Sequence, residues 1–282
     1  LAQNASPAAL RHGPKAAPIS PHLQRASKSD LDITGMLPGV PAGSSRYLSY
    51  ADLLRLPQVT AVVTDDPDLG ASASHPLRVS GVPLEILAGA LGVLPASDLV
   101  DALCTDHYRS QFPADYIALH HPILSLKIND ATPAVWAASE HRYDPGPYFI
   151  LYDHFLPAFR VLSHDDEAQL PDNVIRLNFT TATATFDSIT PHGNYAADSL
   201  VEQGYIIAKQ NCLRCHFSGE AGGTKSGVSW AKLSAVADGN DEVFEHYVHD
   251  PKSVDRRAKM PGNPQYDAAT LAALRAYFGS LN

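Results

Sequence analysis

Sulfur is scarce in this chain. Three cysteines and two methionines serve 282 residues, which excludes the disulfide framework of a small stapled domain. Long apolar runs are missing too, since no uninterrupted stretch reaches the ~20 residues that a membrane-crossing helix needs. Basic charge is in deficit: 21 basic residues against 30 acidic ones leave −9, which argues against a nucleic-acid partner. No Walker loop, dinucleotide fingerprint or G-x-S-x-G elbow occurs. The thirteen histidines nowhere form the i, i+4 pair with a carboxylate that a zinc protease uses. His120-His121-Pro122, Asp153-His154 and His164-Asp165-Asp166 can be read as metal ligands or, more simply, as surface or hydrogen-bonded histidines. What is present is ordinary for a soluble globular chain: 45% hydrophobic residues and a length that suits one or two domains.

Two of the three cysteines stand together. Cys212-Leu213-Arg214-Cys215-His216 has the spacing of a c-type haem attachment site. Residues three apart share a helical face, so two thiols can each form a thioether to one porphyrin. The adjacent His216 then lies under the iron. A zinc site would need further soft or imidazole ligands nearby, and the remaining cysteine, Cys104, is far upstream. A redox dithiol would sit after a strand, at the start of a helix, whereas here a helix runs into the motif. A low-spin haem takes a sixth ligand, often methionine. Met260, within Lys259-Met260-Pro261-Gly262, is the candidate, because proline and glycine hold that loop irregular; a buried core methionine is the other reading.

The surrounding sequence is helical. Asp198 or Ser199 can cap a helix through about Gln210. Ala268 to Phe278 forms a second helix, opened near Asp267 and closed by Gly279, with Leu271, Leu274 and Phe278 at helical spacing. A third covers Asp241 to His249, and Gly204 would let the two terminal helices cross closely. On these residues the segment 197–282 resembles a mono-haem class I cytochrome c. The resemblance implies an all-α domain with Cys212 and Cys215 as the thioether positions of one haem c, and His216 and Met260 as axial ligands. Ala208 stands where such families often carry an aromatic, and Tyr205 can fill part of that space. Covalent haem attachment in bacteria occurs outside the cytoplasm, so the resemblance also implies periplasmic residence. Leu1 to Ser20 lacks a charged start followed by an apolar stretch, as expected once a leader has been removed.

From Ala197 onward nine basic and ten acidic residues nearly balance, while the preceding residues carry −8. Lys252, Arg256, Arg257 and Lys259 gather beside the Met260 loop. They read either as a docking site for an acidic redox partner or as a solvated helix end.

Residues 1–30 read as an extended arm, broken by Pro7, Pro14, Pro18 and Pro21, which wraps its own domain or a partner subunit. Residues 31–191 read as mixed α and β. Strands are expected at 58–64, 99–105, 125–129, 148–152 and 173–179, a strand and turn at 77–84, and a helix from Leu84 to Leu91 stopped by Gly92. Gly81-Val82-Pro83-Leu84-Glu85-Ile86-Leu87, Thr105-Asp106-His107-Tyr108-Arg109, Asn129-Asp130 and Gly146-Pro147-Tyr148-Phe149-Ile150-Leu151 resemble short motifs of the molybdopterin-binding domain of the sulfite oxidase family. The resemblance implies an α+β, mostly β, domain. In that family a cysteine thiolate binds molybdenum; here the nearest register offers Thr64 or a neighbour, and a threonine hydroxyl is a poor soft-metal ligand. Cys104 falls in a later strand, as a small buried hydrophobe. The expectation is therefore a multidomain chain whose first domain kept that fold without the molybdopterin cofactor.

The function that follows is electron relay. A periplasmic dehydrogenase would donate single electrons, a downstream acceptor would receive them, and the chain would serve as a non-catalytic subunit of a hetero-oligomer. The alternative is a molybdenum-dependent oxidoreductase, sulfite-dehydrogenase-like, with a fused haem acceptor domain.

Overall fold

A computed structural model describes residues 10, 16–155, 166–239 and 241–281. Chain contacts divide them into two compact units. The first draws on residues within 1–105, 110–156 and 168–182, and the second on residues within 106–109, 157–167 and 183–282. His164 and Asp165, and residues 1–9 and 11–15 of the expected N-terminal arm, lie outside the described residues.

The first unit holds two sheets. One has strand order β2-β1-β9-β5-β6 and the other β3-β4-β7-β8. Their strands are β1 (Leu31–Gly35), β2 (Arg46–Leu48), β3 (Val59–Val63), β4 (Leu77–Pro83), β5 (Leu99–Cys104), β6 (Arg109–Pro113), β7 (Ile123–Ile128), β8 (Phe149–Leu151) and β9 (Val174–Thr180). β9 runs parallel to β1 and antiparallel to β5, so the central strand of the first sheet arrives last. Short helices separate the strands: α1 (Tyr50–Leu54), α2 (Leu84–Leu91), α3 (Ala114–His120) and α4 (Pro133–Glu140). The unit is therefore mixed α and β with more than one sheet.

Local chemistry explains most of these limits. α2 ends where Gly92 takes the left-handed conformation (φ 64°) that a Cβ disfavours. α1 begins with a capping box. The Ser49 hydroxyl accepts from the Asp52 N–H at 3.1 Å, and the Asp52 carboxylate accepts from the Ser49 N–H at 2.9 Å. β7 ends in a turn whose two central residues, Asn129 and Asp130, both have positive φ, the geometry of a tight hairpin turn. Where a strand and turn are expected over 77–84, β4 instead runs on as continuous strand to Pro83, with a bulge between Ser80 and Gly81. Gly81 is needed there because a Cβ would lie 2.1 Å from the Leu124 carbonyl oxygen. Residues of the arm pair with their own unit: the Ile19 N–H reaches the Ala90 carbonyl at 2.9 Å, and His22 exchanges backbone bonds with Tyr47. Val79, Ala61, Ile128, Trp136, Phe149 and Leu151 belong to one buried cluster of this unit. Each large apolar side chain so buried contributes about 1.5–3 kcal/mol.

The second unit is helical, with one addition to the all-α expectation. A two-stranded ribbon pairs β10 (Phe217–Ser218) with β11 (Ala221–Gly222). Its helices are α5 (Ala182–Phe186), α6 (Leu200–Asn211), α7 (Trp230–Gly239), α8 (Asp241–His249), α9 (Pro251–Val254) and α10 (Ala268–Gly279). α6 and α10 cross at Gly204, where a Cβ would stand 2.0 Å from the Ala273 carbonyl oxygen. Around this crossing Leu274, Tyr277 and Phe278 are almost fully buried. Trp230 Nε1 donates to the Tyr277 hydroxyl at 2.9 Å, which in turn donates to the Ile189 carbonyl. The Ser234 hydroxyl donates to the Phe278 carbonyl at 2.7 Å, so the buried polar groups of this core are bonded.

Candidate haem-attachment site

The attachment motif is a tight turn at the end of a helix. α6 starts at the Ser199 cap, whose hydroxyl accepts from the Glu202 N–H at 3.3 Å, and runs as far as Asn211. A 3-10 turn over Cys212–Arg214 follows. The Cys215 and His216 N–H groups both return to the Cys212 carbonyl, at 3.2 and 2.9 Å. Three of the predicted site residues are thereby held on one turn.

The loop beyond the ribbon closes over this turn. Gly222 has φ 80°, and a Cβ on it would meet the His216 carbonyl oxygen at 2.3 Å. A Cβ on Gly223 would meet the Arg214 oxygen at 1.9 Å. The Gly223 N–H donates to the Leu213 carbonyl at 2.8 Å, and the Ser226 N–H to the Cys215 carbonyl at 3.1 Å. Only glycine permits this approach at the first two positions.

His216 is 7% exposed. Its Nδ1 lies 3.0 Å from the Val228 carbonyl oxygen and 3.1 Å from the Ser226 hydroxyl. A carbonyl can only accept, so Nδ1 carries the proton and Nε2 presents its lone pair. Burial lowers the His216 pKa, against the upward pull of the Val228 bond, which favours the neutral, ligating form. Burial also pushes the Cys212 thiol up to about 12 and raises Cys215. Neither forms a disulfide. A reactive dithiol would need lowered values, and the C-terminal end of a helix is the wrong end of the dipole to provide them. Two cysteines and one oriented imidazole on a single turn fit a covalently attached haem.

Met260 lies on a separate irregular loop after α9 and is half-buried. With Asp250, Pro251, Lys252 and Pro261 it lines a cleft of about 490 Å³. The loop is fastened to the end of α8: the Asn263 N–H donates to the His249 carbonyl at 3.0 Å, and Asn263 Nδ2 to the Val248 carbonyl at 2.9 Å. Asn211, immediately before the first cysteine, donates to the Tyr266 hydroxyl at 2.9 Å, which ties the Met260 side of the unit to the motif. Burial and the neighbouring Cys212 raise the Tyr266 pKa. Lys252, Arg256, Arg257 and Lys259 are all exposed; Arg257 reaches Asp255 at 3.6 Å.

Sequence reasoning had not singled out Ser226, Val228, Asn211 or Tyr266, nor the Gly222-Gly223 pair. The adjacent glycines just past the motif were the visible signal. Three of the histidines that read as possible ligands have local partners instead. His120 stacks on Phe155 with ring centroids 3.8 Å apart, His121 lies 2.9 Å from Glu85, and His154 lies 3.2 Å from Asp153. Among the described residues no three His, Cys, Asp or Glu side chains gather where a metal ion could be held, and no helix is long and apolar enough to cross a membrane. Cys104 is buried in β5.

No family model matches the chain. Over 91 residues it is 30% identical to cytochrome c oxidase subunit 2 of Alkalihalophilus pseudofirmus, a match covering 30% of this chain. It spans about a quarter (26%) of that relative's length. Among solved structures, the sulfane dehydrogenase SoxCD of Paracoccus pantotrophus is similar at a TM-score of 0.37 and 19% identity, covering 60% of this chain and 44% of that one.

Proposed function

We propose that this chain is a c-type cytochrome that relays single electrons. In this reading Cys212 and Cys215 hold one haem c through thioethers, and His216 and Met260 are its axial ligands. It acts as a periplasmic subunit of an oxidoreductase complex, between a dehydrogenase and a downstream acceptor. The observation that carries the reading is the single turn that holds Cys212, Cys215 and His216 together, with the His216 Nδ1 fixed on the Val228 carbonyl. The sequence match to a cytochrome c oxidase subunit supports a redox setting.

Haem so bound supplies a reversible one-electron ferric–ferrous couple. The chain's own residues do the rest. The Cys212–Cys215 turn makes the attachment permanent, and the Val228 carbonyl fixes the ring of His216. The Met260 thioether offers a soft sixth ligand, and the Asn263 bonds to α8 keep its loop in one place, which limits reorganisation on electron transfer. Lys252, Arg256, Arg257 and Lys259 form a basic surface beside that loop, suited to an acidic partner protein. The first unit is a scaffold for assembly with the catalytic partner, and molybdopterin is not part of the proposal.

The test is a pyridine haemochrome spectrum and an intact mass on the chain matured in a periplasm. A c-type α-band and a mass increased by one haem are expected. A mass matching bare polypeptide would sink the reading, and stoichiometric molybdenum would favour the oxidoreductase alternative.

A further inference from the structure

We propose that Ser226 is a positioning residue for His216, setting the electron donation of the imidazole and through it the reduction potential. The inference rests on the haem reading above and deepens it.

The hydroxyl sits at a junction. Ser226 Oγ is 2.8 Å from the Cys215 carbonyl oxygen, which can only accept, so the hydroxyl hydrogen is committed there. Its lone pairs therefore face two donors: the Val228 N–H at 3.1 Å and the His216 Nδ1–H at 3.1 Å. That Nδ1–H is shared with the Val228 carbonyl at 3.0 Å. One side chain thus joins the second cysteine of the motif, the axial imidazole and the strand of backbone that orients the ring.

A second acceptor on Nδ1–H draws the proton away from the ring and makes Nε2 a stronger donor. A stronger donor stabilises ferric over ferrous iron and lowers the potential. The donation to Cys215 polarises the hydroxyl in the sense that strengthens this effect. Ser226 is exposed, so water can replace part of the lost acceptor and the change stays modest.

The experiment uses the full haem-loaded chain as wild type, Ser226→Ala, Ser226→Thr and Ser226→Val. Wild-type haemochrome is read first; absence of haem there would overturn both the underlying reading and this one. With haem present, the midpoint potential and the exchange rate of the His216 Nδ1 proton are measured. Ser226→Ala and Ser226→Val should shift the one-electron equilibrium threefold to tenfold toward the reduced form, about 30–60 mV upward, and speed proton exchange. Ser226→Thr should keep wild-type values. Thr and Val share one shape, so that pair decides the matter even if Ser226→Ala fails to assemble. Equal potentials and equal exchange rates in Ser226→Thr and Ser226→Val would refute the assignment.

Discussion

Gly204→Ala adds one methyl where α6 and α10 touch. The new Cβ would lie 2.0 Å from the Ala273 carbonyl oxygen, 2.5 Å from its carbon and 2.7 Å from Tyr277 Cβ. A carbon and a carbonyl oxygen come no closer than roughly 3.3 Å, so the helices must part by about 1 Å or more. Two of the three obstructing atoms are backbone, and no rotamer change relieves them. Alanine gains about 1 kcal/mol of helix propensity over glycine. Overpacking costs typically about 1–3 kcal/mol and more where backbone must move. Separating the helices also loosens Leu274, Tyr277 and Phe278, so the penalty exceeds the gain, with a net loss of about 2 kcal/mol. For a unit of this size that lowers Tm by roughly 8–16 °C. Thermal unfolding followed by helical circular dichroism at neutral pH, and in parallel at the Soret band, reads it out. A Gly204→Ala protein as stable as wild type would refute the close-crossing argument.

Met260→Ala should lower the midpoint potential and let carbon monoxide or imidazole bind the iron, both visible by optical titration; an unaltered potential would remove Met260 as a ligand. Arg256→Glu with Arg257→Glu should slow reduction by an acidic partner several-fold at low ionic strength, with the difference fading as salt screens it. Stopped-flow rates equal to wild type at low salt would discard the docking surface. In the first unit, burial alone would raise the Asp52 carboxyl, but bonds from Ser49 and His22 hold it below its ordinary value. A depressed folded pKa gives stability that is present above the ordinary value of about 3.9 and lost as pH falls through the folded one. Asp52→Ala should therefore cost about 1 kcal/mol at neutral pH, with the deficit shrinking toward wild type in acid denaturation series below pH 4; a constant deficit would contradict this linkage.

The sequence was legible where start and stop signals are local. Ser199, Asp267 and Gly92 mark α6, α10 and α2, and Gly204 was readable as a crossing point from its neighbours' pattern alone. Gly279 misled by one position, since it stays helical and Ser280 caps α10. Legibility failed where the cause is distant or the signal weak. α3 follows Pro113, which makes no side-chain cap bond, so no capping residue announces it. α4 does carry Thr132 and Pro133 as cap and first residue, a signal that went unread between short segments. β1 has few apolar residues to alternate and is stabilised by β9, far along the chain. At the site, the candidates Cys212, Cys215 and His216 are legible from spacing and Met260 from its proline- and glycine-bounded loop, but the partners of His216 are not: Ser226 and Val228 have no motif, and only the folding of the glycine loop brings them to the ring.

The second unit is discontinuous in sequence. Asp106 lies 2.6 Å from Lys225, and buried Glu167 lies 3.6 Å from Arg214 between the two motif cysteines. Both carboxylates are encoded ahead of β9, before the helical stretch begins. A fragment starting at Thr183 would keep every residue proposed to touch haem yet leave these cations without the carboxylates they face, and halving a buried pair costs about 3–5 kcal/mol. Cutting the chain at the start of the helical stretch would thus yield an incomplete unit, so any excised version needs Glu167 restored or Arg214 replaced by an uncharged side chain.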